Sequence, residues 1–255
     1  MPLGATNRTV ACFNPRRRKK VSIFLSAVMI AASYIIGSIP VGLMLVWLAT
    51  GRDVRQVGSG RTGGTNTLRA AGPWVALLTI LADLGKGFLA VWLTRIVIGT
   101  QGISSPLAES LSGLMAVVGH NYPVFIRFKG GAGTMTTGGG ALALWPWNAP
   151  ILIPLGVGVI ALTGHASVGS ITVAVLIPII FAIRAHLGVG PWEHLVHGIG
   201  TMALTLWALR PNIKRLWEGR ERRVVISKPH LHKQAPQRAE VRPRNRRSSY
   251  NNHSR

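Results

Sequence analysis

Apolar residues fall in long runs separated by polar, glycine-rich segments. The first run, 21–50, is long enough to cross a bilayer with tilt. The segment 51–72 follows with six glycines, four arginines and one acid, and its backbone groups would go unpaired in hydrocarbon. A second span is predicted over 73–98, with Asp83 and Lys86 three apart on one helix face, where each can neutralise the other. A third covers 107–125, and a second polar glycine-rich stretch fills 127–140. Residues 141–163 would make one run, but Trp145-Pro146-Trp147-Asn148-Ala149-Pro150 is a turn signal with interfacial tryptophans. The pattern therefore predicts a short helix over 134–144, then helices over 149–164, 168–187 and 193–209. The expected fold is all-α: a polytopic membrane protein, for which the pattern leaves both seven transmembrane helices and six open.

Composition supports this class. Only 14% of the 255 residues are charged and 48% are hydrophobic, where a soluble domain carries about 25% charged residues. Cys12 is the only cysteine, which excludes a disulfide scaffold and a zinc finger. The net charge of +22 sits mostly in two tails. The expected division is a basic tail over 1–20, a transmembrane domain over 21–223 and a basic, disordered tail over 224–255. Each Lys or Arg near an anionic membrane contributes about 1 kcal/mol of attraction. Tyr250 is the one aromatic in 224–255, which argues against stacking recognition of nucleic acid. The cluster Arg16-Arg17-Arg18-Lys19-Lys20 before an apolar run also fits a signal peptide with a poor cleavage site at Ala31-Ala32-Ser33, but the run continues to Thr50. With seven crossings most Lys and Arg fall on the side of the C-terminus, which places that end in the cytoplasm and the N-terminus outside. The 16–20 cluster argues the other way and supports the six-helix rival.

Seven crossings put three polar segments on one side. The first runs from Gly58-Ser59-Gly60 through Thr65-Asn66 to Arg69. The second is Lys129-Gly130-Gly131-Ala132-Gly133 with Thr134, Thr136 and Thr137, and the third is Asn212-Ile213-Lys214-Arg215 with Glu221 beyond. Glycines free backbone N–H groups to face an anion, and the hydroxyl, amide and cationic side chains add donors. No Walker A spacing is present. The surface suits one or two phosphorylated substrates. Taken singly, each segment also fits close helix packing or positive-inside signalling.

These segments resemble the three motifs of the bacterial acyl-phosphate:glycerol-3-phosphate acyltransferase family, PlsY type. The matching stretches are Gly37-Ser38-Ile39-Pro40 with Gly42, Gly58-Ser59-Gly60, Gly63, Thr65-Asn66 and Arg69. They continue with Asp83, Lys86-Gly87, Gly119-His120, Tyr122-Pro123-Val124-Phe125 and Phe128-Lys129-Gly130-Gly131. Ser167, Ser170-Ile171 and Asn212-Ile213-Lys214-Arg215-Leu216 with Glu221 complete the order over about 28–223. The resemblance implies seven helices, an external N-terminus and a bacterial plasma-membrane enzyme whose active site faces the cytoplasm. It implies acyl transfer from acyl phosphate to the 1-hydroxyl of sn-glycerol 3-phosphate, giving lysophosphatidic acid, with no cofactor and no metal. By position it implies Ser59, Arg69 and Asn212 as catalytic. Ser38, Gly58, Gly60, Thr65, Asn66, Lys129, Gly130, Gly131, Gly133, Ser167 and Lys214 are implied in substrate binding. The expected partners are the two substrates and membrane lipids, and the expected assembly is a monomer or homodimer.

Two positions depart from the family pattern: Ala132 stands where a second loop lysine is usual, and Leu209 where a histidine is usual. Two further motifs read Gly58-Ser59-Gly60-Arg61 and Gly63-Gly64-Thr65 in place of GSGN and GAT. Arg61 or Arg127 are candidates to restore the charge. No histidine has an Asp five residues on, as soluble-type glycerolipid acyltransferases do. His120 and His165 are candidate bases, with helix capping or packing as the plainer reading. Two other functions stay open at this point: a degenerate paralogue that binds a lipid or phosphorylated metabolite without turnover, and a transporter or membrane anchor with an anionic-lipid-binding tail.

Overall fold

The computed structural model describes residues 15–101 and 103–224; the 224–255 tail beyond Val224 and the first fourteen residues lie outside them. The described chain forms nine α-helices and two short 3-10 turns, with no strand among the described residues. The helices are α1 (Pro15–Ser38), α2 (Val41–Thr50), α3 (Gly64–Ala71), α4 (Pro73–Gly99), α5 (Pro106–Asn121), α6 (Thr134–Leu144), α7 (Asn148–Thr163), α8 (Ala166–His186) and α9 (His194–Trp217).

Three differences from the hydropathy reading have physical causes. The run 21–50 is two helices, because Pro40 has no N–H to donate and disfavours helical geometry at Ile39. The basic cluster 16–20 belongs to the first turns of α1. The helix predicted over 193–209 continues through Pro211 to Trp217, although Pro211 leaves the Trp207 carbonyl without its helical donor. The short helix predicted over 134–144 is α6. Among the described residues, three stretches are long and apolar enough to cross a membrane: Lys19–Thr50, Pro73–Gly99 and Ala166–His186.

Close backbone approach holds the bundle together. α1 meets α5 where Gly37 faces the Ala116 backbone and Gly119 faces that of Tyr34. α4 meets α6 where Gly87 lies on Thr136 and Gly139 on Leu84, so neither glycine has room for a Cβ. Val91, Ala141, Leu144, Leu152, Ile177 and Phe181 form an apolar core beside that crossing. Outside, Trp47, Leu48, Trp74, Leu162 and Trp207 are exposed. Large apolar side chains turned outward around a bundle suit a lipid surround.

A buried ionic cluster ties three segments. Lys86 Nζ lies 2.9 Å from Asp83 Oδ1, and His120 Nδ1 lies 3.3 Å from the same oxygen. Lys86 also donates to the Ile39 carbonyl at the α1–α2 break, at 3.4 Å. The Asp83–Lys86 pairing predicted from spacing is thus present, with a third member that spacing did not indicate.

Candidate active site

Asn66, on α3, builds the first wall. Its Nδ2 lies 2.9 Å from the carbonyls of Val54 and Val57 and 2.8 Å from that of Arg61. Its Oδ1 accepts the Ser59 N–H at 3.1 Å. One buried amide therefore folds the whole 54–61 loop around itself. Gly58 adopts φ +56 with its Cα against Asn66 Oδ1, a place where any side chain would be strained and would collide. Asp53 starts the loop by accepting the Arg55 N–H at 2.8 Å and holding its guanidinium at 2.7 Å. That hydrogen bond keeps the Asp53 carboxyl below its ordinary pKa and commits Arg55 to the loop.

Asn66→Ala is expected to lose about 1 kcal/mol for each hydrogen bond removed, and with it the loop's shape. Tryptic cleavage at Arg55 and Arg61 should accelerate, and any activity of the site should fall more than about tenfold. Asn66→Asp should fail equally, because a carboxylate cannot donate to the carbonyls around it. Unchanged cleavage in both variants would contradict this account.

The loop, α3, α6, α8 and the end of α9 enclose a cavity of about 210 Å³. Three helix N-termini open on it: Gly63, Gly64 and Thr65 of α3, Gly133, Thr134 and Met135 of α6, and Ala166 and Ser167 of α8. The first N–H groups of a helix have no intrahelical acceptor and carry its positive end. Arg61, Arg69 and Arg222 also line the cavity. Arg69 makes no salt bridge among the described residues. Burial, then Arg222, lowers its pKa while Glu221 raises it, but an arginine stays protonated. Arg61 Nη2 donates to the Ala208 carbonyl of α9, strapping the loop to that helix.

Asn212 has a defined orientation. Its Nδ2 donates to Glu221 Oε1 at 2.7 Å, and Arg215 Nε donates to Glu221 Oε2 at 2.8 Å. A carboxylate only accepts, so the amide cannot be reversed. Asn212 Oδ1 is left buried with no partner among the described residues, as is Ser167 Oγ. Both residues line the cavity and can meet ligand hydroxyls.

Ser59, Thr65, Asn66, Arg69, Gly133, Ser167 and Asn212 thus line one cavity. The other residues singled out in the sequence lie elsewhere. Ser38 is buried behind the Asp83 cluster, donating to the Tyr34 carbonyl at 2.8 Å. Gly58 and Gly60 shape the loop without lining the cavity; Lys129 and Lys214 are exposed, and Gly130 packs on the His120 carbonyl. The expectation that the glycine segments free N–H groups for an anion is corrected at four positions. Ser59 and Gly60 donate to Asn66 Oδ1 and the Val57 carbonyl, and Gly130 and Gly131 donate to the Asn121 and His120 carbonyls. The unused N–H groups belong to the helix starts instead. Arg222, Ile80 and Ile160 also line the cavity and were missed; no periodicity marks them, since two belong to spans and one follows the last helix.

His120 lines the cavity with Nδ1 turned to Asp83 and its ring against Gly131. His165 precedes α8 as its N-cap residue. Among the described residues no group of three or more His, Cys, Asp or Glu is placed to hold a metal ion. Ala132 and Leu209 line the cavity as apolar surface.

Residues 27–219 match the family model described as glycerol-3-phosphate acyltransferase. A glycerol-3-phosphate acyltransferase of Syntrophomonas wolfei is 40% identical over 200 residues, covering 78% of this chain and 97% of that protein. One from Thermus thermophilus is 44% identical over 193 residues, covering 75% of this chain and 92% of its own. Among solved structures, the glycerol 3-phosphate form of PlsY (YgiH), an integral membrane glycerol 3-phosphate acyltransferase, superposes with a TM-score of 0.69 at 34% identity. It covers 78% of this chain and 94% of that one. The motif order, the all-helical fold and a full-length match to such relatives converge: this chain belongs to the glycerol-3-phosphate acyltransferase family.

Proposed function

We propose that the protein transfers an acyl group from acyl phosphate to the 1-hydroxyl of sn-glycerol 3-phosphate, giving lysophosphatidic acid. The observation that carries this is the one cavity wall where three helix N-termini and Arg69 meet Ser167 Oγ and Asn212 Oδ1, which have no partner among the described residues. Both substrates carry a phosphate, and one a pair of free hydroxyls, which is what that set of donors and acceptors fits. The helix ends and Arg69 bind the phosphates, Ser59 and Thr65 add hydroxyl contacts, and Asn212 Oδ1 aligns the glycerol hydroxyl with the acyl carbon. The glycerol oxygen forms the new ester bond, the acyl C–O bond to phosphate breaks, and the departing phosphate takes the hydroxyl proton. No protein nucleophile or resident cofactor enters these steps.

In this reading the chain crosses a bacterial plasma membrane seven times. α1 with α2, α4, α5, α6, α7, α8 and α9 are the crossings, and the cavity faces the cytoplasm. Residues 21–223 are the catalytic domain, flanked by basic segments that contact anionic lipid, and the protein acts as a monomer or homodimer.

The test is acyl transfer by purified protein in lipid nanodiscs, with acyl phosphate, acyl-CoA and acyl carrier protein offered separately as donors. Lysophosphatidic acid formed with acyl phosphate, and lost in Ser59→Ala, is the expected result. Folded protein that is inert with all three donors would overturn the reading and support a binding-only paralogue.

A further inference from the structure

A second cavity, of about 230 Å³, adjoins the first and shares Arg61 as a wall. Asn121 and Gly131 line it from one side, and Trp207 and Arg210 from α9. Among the described residues no carboxylate lines it, so two guanidinium groups border it without an acid in its wall. Arg61 uses Nη2 on the Ala208 carbonyl and keeps other N–H groups for a ligand. Arg210 lies over the Trp207 ring, 3.9 Å from its centroid. That stacked contact leaves the guanidinium's in-plane donors unspent.

Asn121 supplies the independent sign of a ligand. The residue is 4% exposed, and neither its Nδ2 nor its Oδ1 has a partner among the described residues. A buried amide without partners is strongly disfavoured. With a turn of the Asn121 side chain toward the cavity, an anion held by the two arginines would accept from Nδ2, and a protonated oxygen on it would donate to Oδ1. A singly protonated phosphate group does both.

We infer that this second cavity is a binding site for a phosphate group, carried either by the free inorganic ion or by a phosphomonoester lipid. The choice of phosphate among anions rests on the acyl-transfer reading, in which one phosphate is released and another stays on the product; the anion site itself does not. Through Arg61 the site stands one side chain away from the reaction cavity.

The test counts bound phosphate on the full chain in neutral-lipid nanodiscs at about 0.15 M salt, where attraction to exposed tail charges is screened. Labelled inorganic phosphate and labelled short-chain lysophosphatidic acid are titrated separately. The wild type is expected to bind two equivalents of at least one probe. Arg210→Gln and Arg210→Glu should each lose one, and Arg69→Ala should lose the other while keeping the Arg210-dependent one. Two equivalents with inorganic phosphate assign the free ion; two with the lipid alone assign the lipid headgroup. Binding of both probes that survives both Arg210 substitutions undiminished, whether one equivalent or two, overturns the site. Arg210-dependent binding by a protein that makes no lysophosphatidic acid would uphold the site and reject the acyl-transfer reading.

Discussion

Arg69→Ala is expected to lower kcat/KM for acyl transfer by about 10²–10³-fold, in line with removal of one preorganised donor from an active site. Arg69 sits in the last turn of α3 and reaches the cavity half-buried. It makes no salt bridge among the described residues, so its charge is available to a substrate. Ala132 and Leu209 leave that part of the wall without charge or donor, which concentrates the work on the cations that remain. Arg69→Lys should recover only part of the loss, since an ammonium cannot reproduce the planar fork. Steady-state rates in nanodiscs decide it, with kcat and KM separated to show whether the charge acts on binding or on the transition state. A loss below tenfold would remove Arg69 from the chemistry.

Asp83→Asn is expected to show the largest effect on stability, about 3–5 kcal/mol. Asp83 is 2% exposed and one of its oxygens faces both Lys86 and His120. Neutralising it strands the Lys86 ammonium, also buried, with only the Ile39 carbonyl at 3.4 Å. The double substitution Asp83→Asn with Lys86→Met should recover much of the loss, because the penalty lies in the unpaired charge. Thermal melting of detergent-solubilised protein, followed by size exclusion, reads both. Equal melting of the single and double variants would show that the charge is not what matters.

Much of the scaffold was legible in hydropathy, because a lipid-facing helix must be apolar over its length. Helix α4 was bounded to within one residue, and the turn before α8 was placed. The split at Ile39-Pro40 escaped, since hydropathy registers side chains and this break is a missing N–H. Helix α3 escaped for the opposite reason: its sequence, GTNTLRAA, is polar and starts at two glycines. The candidate site was legible as composition but not as direction. Gly58, Ser59 and Gly60 were singled out together, yet only Ser59 lines the cavity while the glycines make its loop possible. Arg61 and Arg222 could not be ranked above Lys129 and Lys214 by spacing, because which way a side chain turns in a loop or a last helical turn depends on what packs behind it.

The helix starts that open on the cavity bear on how this site tolerates change. Their positive ends belong to the main chain, so replacing a side chain there leaves most of the attraction for phosphate intact. An alanine scan would credit the site's affinity almost wholly to Arg69 and its neighbours and overlook the backbone share. The same property gives the chain latitude for drift. On the acyl-transfer reading, a cavity that draws part of its charge from peptide dipoles is expected to hold phosphate with alanine at 132 and leucine at 209. Mutational robustness of this kind resides in the helix ends and would disappear only if α3, α6 or α8 unwound.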